Sequence, residues 1–293
     1  MQTAELLRKV RRLEIRSRRR VADLFAGNAE SVFKGRGIEF DEVRRYVPGD
    51  EVRDIDWNVT ARFGEPFVKR FAEERELTVM LVVDVSRSMR FGTTGAEKRE
   101  LAAELCAVLA FAAQRHNDRV GLLLVSPRVE HFVPPARGRS HVLRLLRDVL
   151  GAEARPGGQG TRAASRFLLR TAPRHSVIFW ISDFEEPLEA GDWRVLARRH
   201  DVTALLLRDP RDEVLPQVGW VEMEDLETGR RGLLDTGSAA ARERYRRDSV
   251  RRLGLASATL SRAGCPHLML LTGRPWLPPL MRYFAERRRG RGV

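Results

Sequence analysis

Several residue types and patterns are scarce in this sequence, and each shortage excludes a class of protein. Cysteine occurs only as Cys106 and Cys265, with no C-x-x-C partner, which argues against a disulfide framework, a structural zinc site and a thioredoxin-like motif. The apolar runs are far shorter than the ~20 residues of a membrane-spanning helix. The charged N-terminus lacks the apolar core of a secretory signal. We therefore expect a cytoplasmic protein with reduced, structural thiols.

Catalytic motifs are missing as well. No lysine is followed by Ser or Thr, so the chain has no P-loop for ATP hydrolysis. It has no H-E-x-x-H motif and no G-x-S-x-G elbow, and its six histidines form no recognisable pair. Ser86 stands where a phosphatase of the haloacid dehalogenase type would need a second acid after Asp84. We expect a protein that is not an enzyme.

The charge is strongly basic but unevenly distributed. The chain has 53 Lys and Arg against 40 Asp and Glu, a net charge of +13, and only four of the basic residues are lysines. Residues 1 to 20 carry +6 and residues 281 to 293 carry +4, so the 260 residues between them carry only +3. Helical spacing of apolar residues predicts a basic amphipathic helix within residues 1 to 28. The arginine-rich ends suit an acidic partner or an anionic surface, whereas we expect no specific nucleic acid.

The segment that follows the helix, residues 29 to 76, predicts a β-rich elaboration. It contains glycine and proline turns, and its apolar positions alternate through Ile55, Trp57 and Val59. Such alternation is typical of short strands.

Residues 77 to 290 predict an α/β domain, because strands alternate with helix-length segments. This order predicts a mostly parallel sheet with helices on both faces. The strands at 119 to 125 and 128 to 133 are joined too tightly for a crossover, so they predict an antiparallel edge pair. A hairpin insertion is expected around residues 211 to 237.

Oxygen-bearing side chains collect where two predicted strands end. Asp84, Ser86 and Ser88 follow the first strand, Asp183 follows the strand at 175 to 182, and Thr161 ends a glycine-rich loop. Ligands bind beyond the carboxyl ends of strands in open α/β sheets. Two carboxylates and three hydroxyls suit a hard divalent cation, Mg²⁺ or another such as Mn²⁺. We expect the carboxylates to balance its charge, directly or through water, and the hydroxyls to supply oxygens.

A structural alternative for these residues stays open. Asp84 could cap the next helix, Asp183 could begin a turn before Pro187, and Thr161 is a common residue at a helix N-terminus.

The five positions Asp84, Ser86, Ser88, Thr161 and Asp183 resemble the metal-ion-dependent adhesion site of von Willebrand factor A domains. That resemblance implies that the metal binds a Glu or Asp of a partner protein. Arg162 follows Thr161 where related sites often place an acidic residue, so the rim is less negative here.

An upstream signature resembles the bacterial domain of unknown function 58 family, and the resemblance covers most of residues 30 to 290. It implies a von Willebrand factor A-like fold and a chaperone-like or metal-insertion adaptor role beside a MoxR-type AAA+ ATPase. The stretches that carry it are Gly35-Arg-Gly-Ile-Glu-Phe-Asp-Glu-Val-Arg-Arg-Tyr46, Pro48-Gly-Asp50, Arg53-Asp-Ile-Asp-Trp57, Thr60-Ala-Arg62 and Asp84-Val-Ser-Arg-Ser-Met89.

We therefore expect a non-enzymatic interaction module that binds a divalent metal and a client carboxylate. The alternative is a protein that binds nucleic acid or an anionic membrane surface through its arginine-rich ends.

Overall fold

The computed structural model describes residues 3–26, 40–48, 50–52, 55–71, 77–153, 157 and 160–290. Parts of the upstream signature (residues 35–39, 49 and 53–54) and of the glycine-rich loop (residues 158–159) lie outside these ranges. The helices are Thr3–Ala26 (α1), Trp57–Phe63 (α2), Lys98–Arg115 (α3), Arg139–Gly151 (α4), Thr161–Thr171 (α5), Ala190–Arg199 (α6), Ala239–Arg262 (α7) and Leu277–Gly290 (α8). The strands are Phe40–Arg45 (β1), Phe67–Phe71 (β2), Thr78–Asp84 (β3), Arg119–Val125 (β4), Val129–Ala136 (β5), Val177–Ser182 (β6), Asp201–Arg208 (β7), Trp220–Glu224 (β8), Arg231–Asp235 (β9) and His267–Leu271 (β10).

Six of the described strands form the central sheet, in the order β10-β7-β6-β3-β4-β5. All neighbouring pairs are parallel except β4 and β5, which are antiparallel. Counted along the chain, these strands have the spatial order 3-2-1-4-5-6 of doubly wound sheets. The prediction of a mostly parallel sheet with an antiparallel edge pair is confirmed. The order reverses between β3 and β6, so their carboxyl ends flank the crevice where such sheets bind ligands.

The sheet is buried on both faces. Along β3, Val79, Leu81 and Val83 pack into the core with α3 and α4, whereas Met80 and Val82 face the core with α5, α6 and α7. Each of these five side chains is at most 1 % exposed. Burial on both faces explains why the strand is an uninterrupted apolar run, and it fixes the position of the residues that follow it.

The segment upstream of the sheet differs from the prediction at one point. The alternating apolar pattern predicted a strand, but Trp57–Phe63 form helix α2. Asp56 caps the helix by accepting hydrogen bonds from the backbone N–H groups of Asn58 and Val59, at 3.0 and 3.3 Å. Gly64 ends it in the left-handed conformation, at φ 72°. These two capping residues stabilise a short helix, so three alternating apolar positions were too few to predict a strand.

Helix α1 packs against the domain through its apolar face. Val10, Leu13 and Val21 are buried, and the helix contacts α3 and α4. Arg20 donates a 2.6 Å hydrogen bond to Glu104 and lies over the Trp276 ring at 4.8 Å. The predicted amphipathic helix is confirmed. Among the described residues, no helix combines the length and hydropathy that a bilayer span requires.

Candidate metal centre at the carboxyl edge of the sheet

Asp84 and Asp183 lie together at the switch point of the sheet. Asp84 is the last residue of β3, Asp183 directly follows β6, and these two strands are parallel neighbours. As whole residues, Asp84 and Asp183 are 2 % and 1 % exposed. Because buried charges require compensation, this pair is the electrostatic centre of the site.

Hydrogen bonds orient both oxygens of Asp84. Its Oδ1 accepts from the backbone N–H of Ser86 at 2.8 Å, and its Oδ2 accepts from the hydroxyl of Ser182 at 2.7 Å. Ser182 was predicted only as the end of a strand, because a hydrogen bond between residues 98 positions apart leaves no pattern in the sequence. The structure adds it to the site as the residue that positions Asp84.

The site carries excess negative charge. Burial and the nearby charge of Asp183 raise the pKa of Asp84 from 3.8 to about 7, although hydrogen bonds from Ser86 and Ser182 oppose the rise. Two buried acids at close range do not both ionise readily. A cation bound at this site would favour the ionised form of Asp84.

Lys98, which no sequence pattern indicated, supplies a positive charge beside Asp183. Its Nζ lies 2.6 Å from Asp183 Oδ2 and 3.4 Å from Asp212 Oδ2, and its side chain is 2 % exposed. Burial lowers the pKa of Lys98, but the charges of Asp183 and Asp212 outweigh that effect and raise it. The ammonium therefore remains charged beside Asp183.

The serine hydroxyls complete one side of the site. The Oγ atoms of Ser86 and Ser88 lie 3.1 Å apart. Ser86 is fully buried and Ser88 is half-buried. The backbone N–H of Ser88 donates a 2.9 Å hydrogen bond to Glu227 Oε1, which is another contact that the sequence analysis missed.

Thr161 follows Gly160, which lies beside the residues directly after β4. Gly160 stands in the left-handed conformation at φ 54°, and a Cβ there would lie 2.1 Å from the carbonyl oxygen of Ser126. Only glycine permits that approach, which fixes Thr161 as the first residue of α5. The Thr161 side chain makes no hydrogen bond to the other four predicted ligands, which are all among the described residues.

The residues present fit a hard divalent cation. Asp183 is paired with the Lys98 ammonium, and serine hydroxyls adjoin Asp84; carboxylate and hydroxyl oxygens are the donors that Mg²⁺ accepts while keeping several waters. The described residues contain no cluster of three or more His, Cys, Asp or Glu side chains arranged to hold a metal. A cation here would therefore depend on hydroxyl and water oxygens, and Lys98 would repel it.

Comparisons with known proteins agree with the resemblance found in the sequence. The family model described as a protein of unknown function, DUF58, matches residues 42–253. Uncharacterised proteins of Mycobacterium tuberculosis and Mycobacterium bovis are 36 % identical over 294 residues, covering 98 % of this chain and 91 % of theirs.

Matches among solved structures include the conserved hypothetical protein BatB from Bacteroides thetaiotaomicron. It is 14 % identical, covers 73 % of this chain and 99 % of its own, and has a TM-score of 0.48. The SpRpn10 von Willebrand factor A domain is 12 % identical, with 71 % and 95 % coverage and a TM-score of 0.37.

Proposed function

The chain belongs to the DUF58 family of proteins of unknown function, and we propose that it is a non-enzymatic interaction module with a divalent cation, Mg²⁺ or Mn²⁺, beside Asp84. The observation that supports this most is the pair of buried carboxylates, Asp84 and Asp183, which lie close enough for the charge of Asp183 to raise the pKa of Asp84. Catalytic motifs are missing from the sequence, which supports a binding role.

The protein's own residues have distinct roles in this proposal. Asp84 and Asp183 balance the charge of the cation, and the hydroxyls of Ser86, Ser88 and Thr161 supply oxygens. The bound cation would supply an electrophilic centre for a carboxylate of a client protein. Ser182 holds the orientation of Asp84 through its 2.7 Å hydrogen bond.

We also propose that the module acts with a MoxR-type AAA+ ATPase, as an adaptor for an unidentified client. The support is the family resemblance of the upstream signature. The test is the ATPase rate of a purified MoxR-type enzyme with and without this protein. We expect the rate to change with the wild type and not with Asp84→Ala; an unchanged rate with both would argue against the partnership.

Metal uptake is tested directly by titrating Mg²⁺ or Mn²⁺ into the purified protein in a calorimeter. We expect the wild type to bind one ion and Asp84→Ala to bind none. Asp248→Ala is the matched control, because its side chain is 44 % exposed on α7. Equal binding by the wild type and Asp84→Ala would refute the metal centre.

The second candidate function, contact with an anionic surface, rests on the arginines of α1. Arg11, Arg12, Arg16, Arg18 and Arg19 are exposed. The basic ends are not wholly available, however. Arg20 pairs with Glu104, and Arg287 pairs with Asp201. Binding to phosphate groups should weaken steeply with salt and ignore EDTA, whereas capture of a client through the metal should show the opposite pattern.

A further inference from the structure

The tip of the hairpin β8–β9 places a carboxylate beside Ser88, one of the residues of the candidate metal centre. Glu227, in the turn between the two strands, is half-buried and accepts the hydrogen bond from the backbone N–H of Ser88 at 2.9 Å. Ser88 carries one of the hydroxyls proposed to hold the cation. The contact joins residues 139 positions apart, so it is a tertiary contact and does not follow from local turn geometry.

The tip is built to hold Glu227 in this position. Oδ1 of Asp225 accepts hydrogen bonds from the backbone N–H groups of Glu227 and Thr228, at 2.9 and 3.1 Å. Gly229 has φ 71° and donates its N–H to the carbonyl of Asp225 at 2.7 Å. A turn fixed by these bonds presents its glutamate at little additional cost in conformational entropy.

The hairpin is anchored at its base, and its strands are largely open to solvent. Thr236, which is fully buried, donates from its N–H and its hydroxyl to the carbonyl of Gly219, at 2.8 and 2.6 Å. In contrast, Trp220 and Leu233 are 71 % and 72 % exposed. An element fixed at its base and weakly buried along its length can leave a site without unfolding the domain.

We propose that Glu227, held at the backbone of Ser88 in this structure, becomes an internal ligand of the metal centre when the cation is bound, and closes the site until a client carboxylate takes its place. This inference rests on the proposed function. A glutamate anchored beside Ser88 offers the same chemical group as the expected client. Because it belongs to the same chain, it acts at an effective concentration in the millimolar range. A client must therefore displace the hairpin, which makes the hairpin a regulator of this site.

The test uses Mn²⁺ as the probe and compares the wild type with Glu227→Gln. Glu222→Gln is the matched control, since Glu222 lies on the exposed face of the same hairpin and its side chain is 63 % exposed. We expect Mn²⁺ to slow hydrogen exchange of residues 220–235 in the wild type and the control, and to leave it unchanged in Glu227→Gln. We also expect Glu227→Gln to bind Mn²⁺ about tenfold more weakly.

A second measurement follows the displacement itself. At saturating Mn²⁺, a peptide of residues 222–232 should bind Glu227→Gln at least ~10-fold more tightly than the wild type, and a peptide with Gln in place of Glu227 should bind neither. Equal Mn²⁺ affinity, exchange and peptide binding in the wild type and Glu227→Gln would overturn the internal ligand while leaving the metal centre intact. Absence of Mn²⁺ binding in the wild type would instead overturn the proposed function, and the internal ligand with it.

Discussion

Replacing Lys98 by Met tests the electrostatics of the site more directly than removing an acid. Methionine keeps an unbranched, apolar side chain of similar length, so the substitution mainly removes charge. In the wild type, the Lys98 and Asp183 side chains are 2 % and 0 % exposed and their charged atoms lie 2.6 Å apart. Removing one partner from such a buried pair costs roughly 3–5 kcal/mol, because the other charge remains uncompensated. We expect Lys98→Met to lose about that much free energy of unfolding near pH 7 without metal.

The loss should depend on pH in a defined direction. Burial and the charge of Asp183 raise the pKa of Asp84 to about 7, and without Lys98 the buried acids of the site keep less compensating charge. A carboxyl with a raised folded pKa destabilises the fold as the pH rises from the unfolded towards the folded value. The variant should therefore be least damaged near pH 4 and most damaged above pH 7.

Mg²⁺ should partly restore the variant. A ligand that binds only the folded state stabilises it by RT ln(1 + [L]/Kd), and loss of the ammonium removes a charge that repels the ion. We expect Mg²⁺ to raise the unfolding free energy of Lys98→Met more than that of the wild type.

The assay is urea denaturation at several pH values, with and without Mg²⁺. Arg246→Met is the control, because Arg246 pairs with Glu243 on the open surface of α7, where ion pairs contribute little. A loss below about 1 kcal/mol in Lys98→Met, or a loss that does not grow with pH, would refute the assignment of Lys98 as the compensating charge of this site.

Three further outcomes are expected. The pKa of Asp84 is raised to about 7 and a metal binds the ionised carboxylate, so Mg²⁺ affinity measured by calorimetry should increase as the pH rises to about 7; a flat profile would contradict this. Gly160→Ala should lose more than about 2 kcal/mol in urea denaturation, through strain at positive φ and a backbone clash, whereas Gly191→Ala, which has open space, should not. Asp209→Asn should lose about 2 kcal/mol of unfolding free energy, because Asp209 accepts hydrogen bonds from Thr93, Arg211 and Thr272. Burial raises the pKa of Asp209, but these hydrogen bonds outweigh that effect and lower it. The stabilisation should therefore be lost as the pH falls below about 4. Stabilisation by Asp209 that persists below that pH would contradict the assignment.

The sheet could be predicted from the sequence because its determinants are local. An apolar run such as Val79 to Val83 specifies a strand buried on both faces, and helix-length connections specify parallel neighbours. Parallel strands place their carboxyl ends at one edge of the sheet, so Asp84 and Asp183 could be assigned to the same edge, whereas the pairing of β3 with β6 came from the structure. Helix α2 was missed because its stability depends on two end residues, Asp56 and Gly64, and not on periodicity.

Lys98 and Glu227 could not be predicted in the same way, because each acts through a contact that crosses the fold. A position at the start of α3 is unfavourable for a cation, since the helix dipole places positive charge there. Only four of the 53 basic residues are lysines. A lysine at that unfavourable position therefore indicated an acidic partner elsewhere in the fold. The partner is Asp183, 85 residues away. Glu227 left no comparable feature, because a glutamate in a polar turn is ordinary until the turn is seen to end beside Ser88. The acids of the site could therefore be inferred from their positions at strand ends, whereas the groups that compensate and close it required the three-dimensional structure.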